Sequence, residues 1–455
     1  MNEFDHIYTN TRFDSEPSQH MEALALKSPK RRFMLGASVS MAGLAMLGLP
    51  SAAISRTRNT ILNVFDSVPL SKLDTITVPK GYSWSVVNAW GDALQGDQGP
   101  AFNADASNSA ADQALQSGMH HDGMSLFAYP KGSNNSTRAL LAINHEYTDD
   151  GLLHSDGMNT WNAEKVRKSQ AAHGVSIQLI EKTSGGWKTQ PSSEARRVTA
   201  YTPIEITGPA RGHDLMKTAA DQDGVRVLGT LNNCANGETP WGTYLTCEEN
   251  FNGYFVSSAA TPAQKRYGIN DKGFGYRWHE HDARFDASAH PNEANRFGYV
   301  VEINPYSPNS TPKKRTALGR FKHEGAMVTQ APNGKIVVYM GDDERNEYVY
   351  KFVTKFAHDP AQPERSADLL DEGTLFVAKF SKDGKGEWLP LVQGRNGLTA
   401  ENGFPTQAEI CIHTRQAADR VGATMMDRPE WLAVHPTSQQ VYVTLTNNSR
   451  RGTGT

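Results

Sequence analysis

Short apolar runs recur along most of this chain: "RALLAIN" from residue 138, "VRVLGTL" from 225, "WGTYLT" from 241 and "FGYVVEIN" from 297. The same texture continues in "KIVVYMG" from 335, "EYVYKFV" from 347, "GTLFVAKF" from 373 and "QVYVTLT" from 440. These runs are rich in Val, Leu, Tyr and Thr and end at Gly, Asn, Asp or Pro, which predicts strands. Helical periodicity is scarce, with 414–424 ("TRQAADRVGAT") its best example. Residues 1–27 are polar and predicted to lack structure, and the Gly-, Asp-, Ala- and Ser-rich stretch 92–119 predicts a loop with one helical turn. The fold class expected is therefore all-β.

Three of the strand pairs repeat one template. "HHDGMSLFAYPKGSNNSTRALLAINHEY" (120–147), "KHEGAMVTQAPNGKIVVYMGDDE" (322–344) and "RPEWLAVHPTSQQVYVTLTNN" (428–448) each run acid, strand, Pro-containing turn, strand, polar cluster. Asp122, Glu324 and Glu430 precede the first strand; Glu146, Asp342-Asp343 and Asn447-Asn448 follow the second. Repetition of such a unit predicts a β-propeller, in which equivalent positions on the innermost strands converge on the central channel.

A fourth stretch, "NNCANGETPWGTYLTCEEN" (232–250), fits in shortened form, with Cys234 in place of the leading acid and Glu248-Glu249 in place of the trailing cluster. Cys234 and Cys247 allow either a disulfide across the hairpin or a metal site that mixes soft and hard donors. With Cys411 the cysteine count is three, an odd number that argues against a disulfide-stapled framework. Cys411, in the alternating "EICIHTR", reads as core.

Convergence gives these residues their chemistry. Asp122, Glu146, Glu248, Glu249, Glu324, Asp342, Asp343 and Glu430 brought together would repel and raise one another's pKa, so their ring requires positive charge. Carboxylates in number suit Ca²⁺ or Mg²⁺, and a thiolate suits a transition ion such as iron or zinc. Clustered cations of this kind activate a water-derived nucleophile and polarise a phosphoryl oxygen. Arg211, Arg345 and Arg428 are the candidates to steady the charge on such a group. Taken singly, a Glu pair is most often a solvated strand end and an arginine a structural ion-pair partner. The chain contains no G-x-S-x-G elbow, Walker loop or H-E-x-x-H motif.

Charge and leader refine the picture. In 455 residues the formal net charge is −3 and basic residues are scattered, which excludes a dedicated nucleic-acid binder. "SPKRRFMLGASVSMAGLAMLGLPSAA" pairs Lys30-Arg31-Arg32 with an apolar run from Phe33 to Leu49 and small residues up to Ala53. This predicts a signal peptide over 1–53, cleaved after Ala53, with residues 54–455 as the propeller and no membrane span left after processing. The basic pair is similar to a twin-arginine signal, whose export machinery carries folded proteins.

Together "NHEY", "NNCANGETPWGTYLTCEEN", "FKHEGA", "GDDERNEYVYKF", "RPEWLAVHP" and "VYVTLTNN" resemble, in order over 140–450, the PhoX family of exported bacterial alkaline phosphatases. The resemblance implies a six-bladed β-propeller and a periplasmic or secreted phosphomonoesterase with small-molecule phosphomonoesters as substrates. It also implies a cofactor of Fe(III) and Ca²⁺ with a bridging oxo group. Carried over motif by motif, Glu146, Cys234, Glu248, Glu249, Glu324, Asp342 or Asp343, and Glu430 resemble metal ligands, with Cys234 on iron. The family continues beyond the point where this sequence stops, so the expectation is an incomplete last part of the propeller. Alternatives are another exported calcium-dependent propeller hydrolase, lactonase or phytase-like, and a noncatalytic metal-stabilised binding propeller.

Overall fold

Every apolar run named above contributes a strand to the computed structural model, which describes residues 67–452. The expected signal peptide at 1–53 lies outside the described residues. The chain divides into two units, 1–86 and 87–455. In the first, residues 67–86 form no helix or strand, and a turn brings the Tyr82 N–H to the Pro79 carbonyl. Among the described residues no helix is long and apolar enough to cross a membrane.

The second unit is all-β, with strands in three larger sheets and two two-stranded ones. Its first sheet contains β1 (His121–Ala128), β2 (Arg138–His145), β3 (Gly174–Thr183), β4 (Gly186–Gln190) and β5 (Arg196–Val198), ordered β1-β2-β3-β4 with β5 also on β3. The second contains β6 (Pro203–Thr207), β7 (Arg226–Leu228), β8 (Asn233–Glu238), β9 (Tyr244–Glu248), β10 (Val300–Ile303) and β11 (Lys313–Arg315), ordered β7-β6-β11-β10-β9-β8. In the third, β12 (His323–Gln330) leads β13 (Lys335–Asp342), β15 (Val349–Ala357), β16 (Gly373–Phe380) and β17 (Gly386–Pro390). Between them β14 (Arg345–Glu347) pairs with β18 (Met426–Asp427), and a last hairpin joins β19 (Pro429–Val434) to β20 (Val441–Leu445).

The edge strands β1, β8, β12 and β19 pack side by side in that order. Glycines permit the approach: a Cβ on Gly123 would stand 2.8 Å from the Cys234 carbonyl oxygen, and one on Gly237 would stand 1.9 Å from that of Ala326. Within the second sheet β9 and β10 are covered on both faces, so every residue along them is buried rather than alternate ones. Tyr244, Val301 and Ile303 face one core with Val175 and Trp278; Leu245, Cys247 and Val300 face the other with Phe321 and Val338.

Helices are few. The expected helix at 414–424 is Thr414–Val421 (α3), closed by Gly422 at φ 72°. Cys411 is buried as expected, although on a helix, Gln407–Ile412 (α2), capped by Thr406. A further helix, Ala163–Ala172 (α1), has Val166 as its one large apolar residue, so its period is faint in the sequence. The loop at 92–119 carries the helical turn Ala110–Gln113.

Candidate metal centre

Four hairpins open in the same way. The pairings β1–β2, β8–β9, β12–β13 and β19–β20 each shift register near the start of the first strand: between His121 and Met124, Asn233 and Asn236, Glu324 and Met327, and Pro429 and Leu432. A bulge of this kind re-aims a side chain. The second residue of the four strands is Asp122, Cys234, Glu324 and Glu430, the leading residues of the repeat. Just past the returning strand, the N–H of Glu146, Glu249, Asp343 and Thr446 bonds back to the carbonyl of His120, Asn232, Lys322 and Arg428, at 3.0, 2.9, 3.0 and 3.4 Å.

These positions meet at Cys234. Its thiol donates to Asp122 Oδ2 at 2.8 Å and lies 3.2 Å from Glu324 Oε1. Donor atoms of Asp122, Glu146 and Cys234 lie within 4.8 Å of one another, as do those of Cys234, Glu249 and Glu324, so the sulfur belongs to both groups. Asp343 and Glu430 adjoin them electrostatically: Asp343 makes Glu324 harder to ionise, and Asp343 and Asp122 do the same to Glu430. Cys234, Glu249, Glu324 and Asp343 are buried, and the remaining three acids are half-buried.

The charges do not balance. Burial first, and the neighbouring carboxylates next, hold Glu249 and Glu324 well above the usual carboxylate range. Burial, then Asp122 and Asp343, brings Glu146 to about 8. Burial raises Asp122, Asp343 and Glu430, and burial followed by Glu324 raises the Cys234 thiol. Asp343 Oδ1 is buried and lacks a hydrogen-bond partner among the described residues. Against these acids stand two nearby cations: Arg428, whose Nη2 is 2.7 Å from Asp343 Oδ2, and Lys322, which bonds Glu344 at 2.9 Å. The donor set fits hard cations beside one with affinity for sulfur.

Several expected residues lie elsewhere. Glu248 and Asp342 precede Glu249 and Asp343 by one position, and strand alternation turns them to the opposite side. Glu248 Oε1 receives Lys314 Nζ at 2.7 Å, while its Oε2 accepts from the N–H of Gly298 and Tyr299 at 2.9 and 3.1 Å. Asp342 is clamped by Arg415 at 2.5 and 2.8 Å. With their oxygens so engaged, these two carboxylates correct the expectation that they face a metal. Arg211 pairs with Glu205 on β6, four strands from β8, and Arg345 lies 3.6 Å from Glu344 rather than on a cluster carboxylate. The disulfide alternative fails, because the three cysteines are free and Cys247 is a core residue.

One residue at the site carried no sequence signal beyond its polarity in an apolar strand. Asn144, fully buried, donates from Nδ2 to the carbonyls of Cys234 and Ala235 at 2.5 and 2.9 Å. Its Oδ1 accepts from Tyr244 at 2.9 Å and from Thr246 at 2.8 Å. All four of its hydrogen-bonding positions are used to hold the bulge that presents Cys234.

Comparison with known proteins gives the same direction. A family model described as "Alkaline phosphatase PhoX" matches residues 63–454. Among solved structures, "Pseudomonas fluorescens PhoX in complex with vanadate, a transition state analogue" is 50% identical with a TM-score of 0.82. That match covers 85% of this chain and 68% of the other. No curated protein matches. Fold and family thus replace the lactonase and binding-module alternatives: the chain belongs to the PhoX alkaline phosphatase family, and it is a metal-dependent phosphoric monoester hydrolase.

Proposed function

We propose that Asp122, Glu146, Cys234, Glu249, Glu324, Asp343 and Glu430 hold a mixed cluster of Fe(III) and Ca²⁺ at which small-molecule phosphomonoesters are hydrolysed. The observation that carries this reading is the shared sulfur: Cys234 Sγ stands in two donor groups that otherwise consist of carboxylates. Iron accounts for the thiolate and calcium for the excess of oxygen donors. When bound, such ions polarise the phosphoryl group and bring a water-derived nucleophile to useful strength near neutral pH.

The side chains do the rest. Asn250 Nδ2 reaches both oxygens of Glu249 at 2.6 Å and fixes its orientation. Asn144 fixes the backbone at Cys234. Arg428 is half-buried, bonded to Asp343 through one nitrogen, and positioned by that bond to steady the negative charge of a phosphoryl group. Burial of Cys234, Glu249, Glu324 and Asp343 strengthens the electrostatic interactions on that side of the cluster. The leader motif supports action outside the cytoplasm, with the twin-arginine export machinery as partner.

Elemental analysis of purified protein, coupled to hydrolysis of p-nitrophenyl phosphate, tests the proposal. Iron and calcium should accompany activity through purification, and a preparation active without iron would overturn the assignment.

A further inference from the structure

In each hairpin whose second strand is followed by an acid of the cluster, the residue just before that acid is buried, polar and locked to a partner outside the hairpin. His145, before Glu146, has Nε2 on Ser176 Oγ at 2.6 Å. Glu248, before Glu249, is held by Lys314 and two backbone N–H groups, with both side chains of the pair fully buried. Asp342, before Asp343, takes Arg415 on both oxygens and also accepts the Lys322 N–H at 3.2 Å. The fourth hairpin acts as an internal control. There Thr446 stands in place of the trailing acid, and the residue before it is Leu445, exposed and apolar.

Burying a charged pair costs several kcal/mol in desolvation, so such pairs are weak stabilisers of a fold compared with apolar packing. At the position before the trailing residue, the pairs Glu248–Lys314 and Asp342–Arg415 occur where an acid follows and give way to exposed Leu445 where none does, which ties these two pairs to the position of that acid. The geometry supplies the link. Asp342 Oδ1 bonds the Lys322 N–H, while the Asp343 N–H bonds the Lys322 carbonyl, so one clamped carboxylate fixes both strand ends from which Glu324 and Asp343 project. Glu248 pins its strand end to β10 and β11 in the same manner, through Tyr299 and Lys314.

Accepting the ligand set proposed above, we propose that Glu248 and Asp342 are positioning residues: clamped by Lys314 and Arg415, they hold the backbone from which Glu249 and Asp343 reach the centre and so set how tightly metal is retained. Glu248→Gln, Asp342→Asn and Arg415→Lys test this beside Glu249→Gln, with metal-loaded protein dialysed against a chelator and the remaining metal followed by elemental analysis. The melting temperature of each metal-free protein is measured in parallel. Outer partners of metal ligands typically contribute about 10- to 100-fold in affinity, and Glu248→Gln and Asp342→Asn should shed metal faster by a factor in that range. Arg415→Lys, which keeps the charge but loses the fork, should fall between them and the unsubstituted protein. Lower melting temperatures with unchanged metal retention, while Glu249→Gln sheds metal, would overturn the positioning role alone. Retention in Glu249→Gln as well would overturn the ligand set on which it rests. Should Asp342→Asn fail to fold, Arg415→Lys and Glu248→Gln decide by the same criterion.

Discussion

The Cys234 thiol lies 2.8 Å from Asp122 Oδ2, joining the second residue of β8 to the second residue of β1 in the preceding hairpin. Replacing this sulfur by oxygen keeps the size and removes the soft donor that two carboxylate groups share. Cys234→Ser should therefore lose iron and phosphatase activity together, and Glu324→Gln should do likewise. Cys247→Ser, altering a core position beside Leu245, should keep its metal. Elemental analysis with p-nitrophenyl phosphate turnover reads all three, and iron retained in Cys234→Ser but lost in Cys247→Ser would reverse the roles of the two cysteines.

Metal-free protein should lose stability as pH rises. Glu146 keeps its proton in the folded state up to about 8, whereas its ordinary value is 4.5. Between those values the native state binds more protons than the unfolded one, so unfolding free energy falls with rising pH. The proton-linked stability is fully present below about 4.5 and gone once pH passes about 8. Glu249, Glu324, Asp122, Asp343 and Glu430 shift in the same direction and steepen the slope. Melting temperatures of chelator-treated protein at pH 5 and pH 8 should show the decline, and added metal should abolish it by replacing the protons as counter-charge. A chelated protein more stable at pH 8 than at pH 5 would contradict this account.

Asn144 should behave as a structural staple whose polarity, not its size, matters. Asn144→Leu leaves two carbonyls and two hydroxyls without their buried partner, a loss of about 3 kcal/mol. Asn144→Asp is nearly isosteric, yet it removes both donors and sets a charge against the carbonyls of Cys234 and Ala235. Denaturant unfolding should find it at least as damaging as the leucine variant. A near-neutral Asn144→Asp would show that packing alone holds the bulge.

Arg428 should separate substrate handling from metal binding. Removing a preorganised donor aimed at developing charge typically costs about 100- to 1,000-fold in rate. Arg428→Ala should lose kcat/KM on that scale while keeping most of its metal, and Arg428→Lys should recover part of the loss. If metal content falls in step with activity, the guanidinium serves Asp343 and not the substrate.

What the sequence revealed of this site followed from register. The leading residues Asp122, Cys234, Glu324 and Glu430 were legible because the repeat aligns them without knowledge of any contact. Runs such as β2 and β10 were equally plain, because a strand whose alternate residues enter two different cores is apolar along most of its length. The choice within "CEEN" and "GDDE" was not legible: two adjacent acids look alike until strand alternation assigns one to the centre and the other to Lys314 or Arg415. Those partners lie far along the chain from the acids they hold, and an arginine's value depends on such partners. In sequence alone Arg211 is therefore as suitable as Arg428; the fold pairs the first with Glu205 and the second with Asp343. Asn144 was hidden for a related reason: its role is to satisfy backbone groups of another sheet, which leaves no pattern in its own.

The period-two geometry of the returning strands makes the centre tolerant of one kind of change and intolerant of another. A substitution within β2, β9 or β13 alters packing locally, but inserting or deleting a single residue there exchanges the inward acid for its neighbour. The donors also come from hairpins that begin at residues 121, 233, 323 and 429, so no short fragment of the chain carries a complete set. Assembly of the charge cluster must wait until strands distant in the sequence have been synthesised and folded against one another, which makes occupancy a report that the four hairpins have docked in the right order.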